Sequence, residues 1–242
     1  MKKMLIPIVL LISSLGAMLF SFFYIVNWNE DNKKTKESIK LVQEVTRIEI
    51  NPISTFLSVD FTELAKINNE VVAWIKVDDT SVNFPVVKHK DNSYYLTHSY
   101  DKSFNYAGWI YTDYRNDIDD LVSNNIIYGH GREDGTMFGS LRDLINKDGS
   151  EKLVYISTPY NNYIFKIFSI YRITNTNDYL YTGYDSNEEF LNFIDLIKKR
   201  SLVKYDELEI VPSDKILTLA TCYDTREKFV VHAKLIEWEK RY

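Results

Sequence analysis

The sequence predicts a mostly-β domain, a barrel or sandwich of short strands with a few helices, behind an N-terminal membrane-spanning helix. Many short apolar stretches bounded by turn residues carry the first half of that statement. So do the 18 Tyr and 13 Phe among 242 residues, which favour a strand-rich core. The helix follows from residues 4–26, a run of 23 uncharged, mostly apolar residues. About 20 such residues cross the hydrocarbon layer.

That run is long for a signal peptide, and Ser13-Ser14-Leu15-Gly16-Ala17 is a poor cleavage site, so a retained anchor is expected. Lys2 and Lys3 precede it with no basic excess after it, which predicts the N-terminus inside and the rest outside. Tyr24 and Trp28 stand where an interfacial aromatic belt would lie. Residues 29–40 are polar and charged and read as a solvated stalk. Ile39, Val42, Val45 and Ile48 recur at helical spacing until Asn51-Pro52 ends the pattern. Residues 60–68 read as a short helix with Asp60 as N-cap and Glu63 completing a capping box.

Strands are expected at 71–77 and 82–87, with turn residues Asp78-Asp79-Thr80 between them and Pro85 marking an edge or bulge. Further strands are expected at 108–111, 125–128, 152–157, 163–173, 209–211, 215–221 and 228–237, and a helix at 137–145. One late helix is clearly signalled over 186–200. Ser186 caps it, Glu189 takes the capping-box position, Phe190, Phe193, Ile194 and Ile197 share a face, and Lys198-Lys199-Arg200 suits its negative end.

Without Lys2 and Lys3, the chain beyond the membrane carries 27 basic against 34 acidic residues, a net of −7. That charge excludes nucleic acid as a natural partner, because phosphate binding needs a basic footprint. His89, His98, His130 and His232 lie far apart, and no short-spaced His or Cys pair marks a metal site. Gly129-His130-Gly131 lacks the lysine and spacing of a phosphate loop. No metal and no organic cofactor is implied.

The one cysteine, Cys222, ends an apolar strand in the run Leu217-Thr218-Leu219-Ala220-Thr221-Cys222. Outside the cell a single cysteine makes no internal disulfide. It is a packed thiol, an intermolecular linker or a nucleophile. Arg226 and Lys228 follow closely, and a cation favours a thiolate or steadies an oxyanion. His130, between two glycines that let the backbone turn at a strand end, is the best acid or base. A surface turn histidine fits the same residues. His232 reads as a strand-face residue, and His89 and His98 as solvated loop residues.

Thr218-Leu219-Ala220-Thr221-Cys222 resembles the Thr-Leu-x-Thr-Cys signature of sortases, the transpeptidases that anchor surface proteins to Gram-positive cell walls. Asn125-Ile126-Ile127-Tyr128-Gly129-His130-Gly131 resembles the segment with their catalytic histidine. Asp134-Gly135-Thr136-Met137-Phe138-Gly139-Ser140-Leu141 is similar to class B members. So are Asn69-Glu70-Val71-Val72-Ala73-Trp74-Ile75-Lys76-Val77, Asn92-Ser93-Tyr94-Tyr95-Leu96, Gly108-Trp109-Ile110-Tyr111 and Asp113-Tyr114-Arg115-Asn116. The resemblance runs in order over residues 60–238.

It implies an eight-stranded sortase-type β-barrel with N-terminal helices, falling here at 31–48 and 60–68, and one inserted helix at about 186–200. The implied division is a cytoplasmic stub (1–3), a transmembrane anchor (4–26), a stalk and N-terminal helix (27–59) and a catalytic domain (60–242). The implied enzyme is a single-pass membrane protein facing outward. Its Cys222 attacks a C-terminal sorting signal after Thr, leaving a thioacyl enzyme. His130 serves as general acid and then base, and an arginine positions the substrate carbonyl. Implied partners are surface proteins with Pro-x-Thr-type signals, and peptidoglycan or its lipid-linked precursor as the amine acceptor.

The chain departs from the class B pattern at the arginine. Lys228 holds the place just before the apolar run Phe229-Val230-Val231, and Arg226 stands two residues earlier on the same face by alternation. Arg226 is the expected cation, because a guanidinium offers a planar two-point donor. Thr221 is expected to line the substrate groove. The rival readings are a pilin-polymerising sortase with a lysine side chain as acceptor, and a non-catalytic surface-binding barrel.

Overall fold

Nothing in residues 27–45 stops a helix, and in the computed structural model the N-terminal segment is one continuous helix, α1 (Lys2–Val45). The structure describes residues 2–45, 49–50, 56–146, 150–174, 176–206, 208–222 and 227–241. Polar residues 29–40, expected as a separate stalk, belong to this helix. They contain neither Gly nor Pro, and Lys33–Glu37 and Lys40–Glu44 pair one turn apart along this part of the helix. The helix does not stand free. Thr35 and Val42 are fully buried, the Asn105 amide donates to Thr35 Oγ1 at 3.1 Å, and Gln43 donates to the Asn83 carbonyl.

Strands β1 (Glu49–Ile50) and β2 (Leu57–Ser58) form a small separate sheet. Helix α2 (Phe61–Ile67) starts at Asp60, whose carboxylate accepts from the Thr62 amide. Glu63 pairs with Lys66 at 2.6 Å.

Strands β3 (Val71–Val77), β4 (Asn83–Val87), β5 (Tyr111–Thr112), β6 (Asn124–His130), β7 (Leu153–Ser157), β8 (Asn161–Ile173), β9 (Ile216–Cys222) and β10 (Lys228–Lys240) close the expected eight-stranded barrel, in the order β10-β8-β7-β3-β4-β5-β6-β9. Two neighbouring pairs run parallel, β4 with β5 and β6 with β9. Pro85 is tolerated because β4 meets β5 only at Val87, which leaves the proline without a donor to supply on that side.

Three stretches differ from the sequence expectation. Residues 209–211 are not a strand: Asp214 accepts from the Val211 amide and donates its own back to the Val211 carbonyl, closing a turn over Pro212. Residues 139–146 form a 3-10 helix rather than an α-helix, and Gly139 sits so close to the Arg132 carbonyl that a Cβ would collide with it. In 108–111 only Tyr111 is in a strand, because Gly108 takes φ +56 and turns the chain.

The barrel interior is apolar, with Ile75, Phe84, Ile127, Leu217, Leu219 and Val231 fully or nearly fully buried. A second cluster lies outside the barrel. There α3 (Asn187–Arg200) lays Phe190, Phe193, Ile194 and Ile197 over Ile216, Ala220 and Val230 of β9 and β10. Burying each of these large side chains is worth about 1.5–3 kcal/mol. Ser186 caps α3 by accepting from the Glu189 amide, as expected. Glu189 reaches the amide of Asp185 instead of that of Ser186.

Candidate active site

The parallel pairing of β6 with β9 sets the site. Their register runs from Asn124↔Ile216 to His130↔Cys222, so the histidine and the cysteine, distant in sequence, end level on adjacent strands. On the other side β10 runs antiparallel to β9 with Val230↔Ala220. The paired register ends there, and carried on by two residues it would set Lys228 opposite Cys222. Side chains alternate along a strand, and Ala220 and Val230 belong to the outer cluster. His130, Cys222 and Lys228 therefore occupy one row of the outer face. The side chain of Cys222 and the whole of Arg226 lie outside what the structure describes.

His130 is half-buried, and its Nε2 lies 2.9 Å from the Leu96 carbonyl. A carbonyl only accepts, so Nε2 carries the proton and Nδ1 is the nitrogen left for chemistry. Burial lowers its pKa, with Arg132 adding to the effect and the Leu96 carbonyl opposing it. The ring depends on Gly108, where a Cβ would stand 2.8 Å from His130 Cδ2 and 2.6 Å from the Tyr95 carbonyl. The glycine before the histidine works differently from the sharp turn expected of it. β6 continues through His130, and a Cβ on Gly129 would strike Ile110 and Phe138.

Below His130 on the same face, Tyr128 donates to Asp113 Oδ2 at 2.8 Å. Arg115 grips both oxygens of that carboxylate, and Asn92 donates to it as well. Burial opposes the charge on Asp113, but the Arg115 fork and these hydrogen bonds outweigh it and hold its pKa down at about 2. Sequence reasoning passed over this network. The only local signal was an Asp and an Arg two residues apart.

Residues 176–184 wall the Lys228 side. Asn124 holds the Tyr179 and Tyr181 carbonyls, Arg115 holds that of Leu180, and Arg200 grips Asp178 through two bonds of 2.7 Å. Lys228 Nζ donates to Asn177 Oδ1 at 2.7 Å and lies 5.9 Å from the Tyr179 ring centre. Thr221 is buried and its hydroxyl accepts from the Phe229 amide. It lines a small cleft with Phe138, Arg142, Arg172 and Phe229.

His232 is fully buried, as a strand-face residue beneath α3. His89 and His98 are less solvated than expected. They stack on the two faces of Tyr94, and His89 also meets Glu70 at 3.2 Å. Among the described residues, no group of three or more His, Cys, Asp or Glu is arranged to hold a metal ion.

The geometry of a thiol position level with an imidazole, beside a cation, suits acyl transfer. Comparison with known proteins points the same way. A family model for the sortase domain matches residues 75–236. Sortase B of Staphylococcus aureus is 30% identical over 241 residues, covering 97% of this chain and 98% of that one. Sortase B of Listeria monocytogenes is 31% identical over 232 residues, covering 92% and 93%. A crystal structure of sortase B from Bacillus anthracis in complex with AAEK1 superposes with a TM-score of 0.71 at 34% identity, over 90% of this chain and 100% of that one. A Staphylococcus aureus sortase B–substrate complex gives 0.67 at 32% identity, over 73% and 84%.

Proposed function

Because this chain belongs to the sortase family and is a sortase B-type cysteine transpeptidase that attaches proteins to the cell wall, we propose that Cys222 and His130 carry its two half-reactions on a C-terminal sorting signal. The observation that carries this reading is the register of β6 against β9, which sets His130 level with Cys222.

In the first half-reaction the Cys222 thiolate attacks the carbonyl carbon of a Thr in a Pro-x-Thr-type signal. Protonated His130 gives its Nδ1 proton to the leaving amine as the C–N bond breaks, and a thioacyl enzyme remains. A peptidoglycan amine, free or on a lipid-linked precursor, then attacks the thioester. Neutral His130 takes a proton from it, and the sulfur leaves. Burial holds the imidazole toward the neutral form that this second step needs. A thiolate at Cys222 opposes that bias before the first step.

Arg226 is the expected donor to the oxyanion. The register of β9 and β10, continued two residues past Val230↔Ala220, favours a second reading, in which Lys228 opposite Cys222 supplies that charge. Its present hydrogen bond to Asn177 is exposed and exchangeable. Thr221, expected in the groove, serves by tying β9 to β10 at the height of the nucleophile.

Residues 60–242 form the catalytic domain, and residues 4–26 of α1 are its membrane anchor, with the N-terminus inside and the domain outside. The apolar part of α1 has mean hydropathy 2.3 and is unburied by the rest of the chain. The Staphylococcus aureus relative captured with a substrate supports a peptide donor here as well.

The test is mass spectrometry of the chain incubated with Pro-x-Thr-Gly and Pro-x-Thr-Asn peptides, with and without an amine. A Cys222 adduct, ligated product and their loss in Cys222→Ala are expected. The cation is the one of Arg226→Ala and Lys228→Ala whose kcat/KM falls by about 10²–10³. A folded protein with an inert thiol and no adduct would leave only the binding-barrel reading. Ligation to a pilin lysine in preference to peptidoglycan amines would move it to the pilin class.

A further inference from the structure

Trp28 shares a cleft with His130. On α1, Trp28, Asn32, Thr35, Ile39 and Val42 recur at helical spacing and make one stripe. That stripe faces the domain: Val42 and Thr35 are fully buried, Thr35 bonds Asn105, and Asn32 accepts from Arg132. Trp28 is the next residue along it, just past the apolar run. An open cleft of about 260 Å³ is lined by Trp28, His130, Gly131, Arg132, Glu133 and Asp134. It lies on the α1 side of His130, whereas Lys228 and the wall at 176–184 stand on the other.

The lining has a definite chemistry. Arg132 is taken up, bonding Thr136, Asp134 and Asn32. The Asp134 carboxylate is taken up by Arg132 and Thr136 in turn. Glu133 is exposed and anionic, and the Trp28 ring is about half exposed. An aromatic face beside a carboxylate recognises a primary ammonium, and the group beyond them is an imidazole with Nδ1 available.

We propose that the cleft between Trp28 and Glu133 seats the acyl acceptor, a peptide ending in a primary amine, so that the membrane helix itself forms part of the active site. This rests on the reading that an amine resolves a Cys222 thioester. The seated ammonium gives one proton to His130 Nδ1, and its nitrogen attacks the thioester carbon. The carbon–sulfur bond then breaks, and a second amine proton leaves with the Cys222 sulfur as thiol. The donor peptide keeps the Lys228 side of the row.

The experiment uses the full chain, in detergent micelles and in nanodiscs, with a sorting peptide cleaved by the wild type and triglycine as the amine probe. Ligated and hydrolysed products are followed as triglycine is varied. Trp28→Ala and Glu133→Gln are expected to raise the triglycine concentration for half-maximal ligation about three- to fivefold, with Trp28→Phe close to wild type. The effect falls on the KM for triglycine and spares the maximal ligation rate. Trp238→Ala, at an exposed position of β10, is the control and stays at the wild-type value. Wild-type dependence in both Trp28→Ala and Glu133→Gln overturns the proposal. A Trp28→Ala effect confined to nanodiscs also overturns it, by assigning the residue to the bilayer. A wild-type chain that forms no thioester overturns the transpeptidation reading itself, a result visible before any variant is compared.

Discussion

His130 and His232 flank the same strand, one level with Cys222 and the other with Thr218, and they are put to opposite uses. His232 is fully buried with both ring nitrogens engaged. The Thr218 hydroxyl spends its proton on Asn124 Oδ1, so it accepts from His232 Nδ1–H, and Tyr171 O–H donates to Nε2. Burial, with Arg200 nearby, pushes its pKa down to about 3. His130 has one nitrogen held by Leu96, and among the described residues its Nδ1 has no hydrogen-bond partner, which leaves it to the proposed proton transfer. Position on the outer face is common to both. What separates them is α3, which covers one histidine and stops short of the other.

The largest expected effects test that separation directly. His130→Ala should lower kcat/KM by about 10²–10⁴ with little change in unfolding free energy. His232→Ala should lose about 2–4 kcal/mol of stability in urea, through the cavity and the unpaired Tyr171 and Thr218 groups, and keep its turnover per folded molecule. A turnover loss in folded His232→Ala matching that of His130→Ala would break the comparison.

The pH dependence of stability sharpens it. Unfolded His232 titrates near its ordinary value of 6.5, whereas the folded residue stays neutral down to about 3. The unfolded chain therefore binds the extra proton in that window. The stabilisation is complete above pH 6.5 and is lost as pH falls toward 3, by up to about 1.4 kcal/mol per pH unit. Urea titrations at pH 7 and pH 5 should show this slope, and His232→Gln should flatten it. A smaller effect is expected from Gly108→Ala. The added methyl presses on the His130 ring at a position of positive φ, and about a tenfold loss of kcat/KM with a Tm lower by a few degrees would fit.

The same contrast explains what the sequence made legible. β3 was expected over residues 71–77 and is found there, and β9 was expected over 215–221 and lies one residue later, because alternation and turn residues are local signals. Strand ends near His130 and Cys222 were visible for the same reason, although the strands were expected to stop at Tyr128 and Thr221 and run on to His130 and Cys222. The bonds from Tyr128 to Asp113 and from His232 to Thr218 were not, since they depend on the register of strands far apart in sequence. Helix α1 was divided into anchor and stalk because hydropathy changes at Asn27. Helix formation responds to propensity and to side chains four apart, and neither changes there. The cation was the hardest case, because a lysine stands where the family pattern has arginine, and only the ladder of β9 and β10 relates it to Cys222.

The join between β6 and β9 also governs when chemistry becomes available. Parallel neighbours need a long crossover, and here 85 residues separate Ile216 from the last residue of β6, filled by β7, β8 and α3. Such distant pairings form late and slowly. A chain folding from its N-terminus would place His130 well before Cys222 and would bring them level only as the last two strands closed the barrel. With Cys222 and His130 in their proposed roles, the thiol would stay without its acid–base partner, inert toward passing esters and amides, until the barrel is complete.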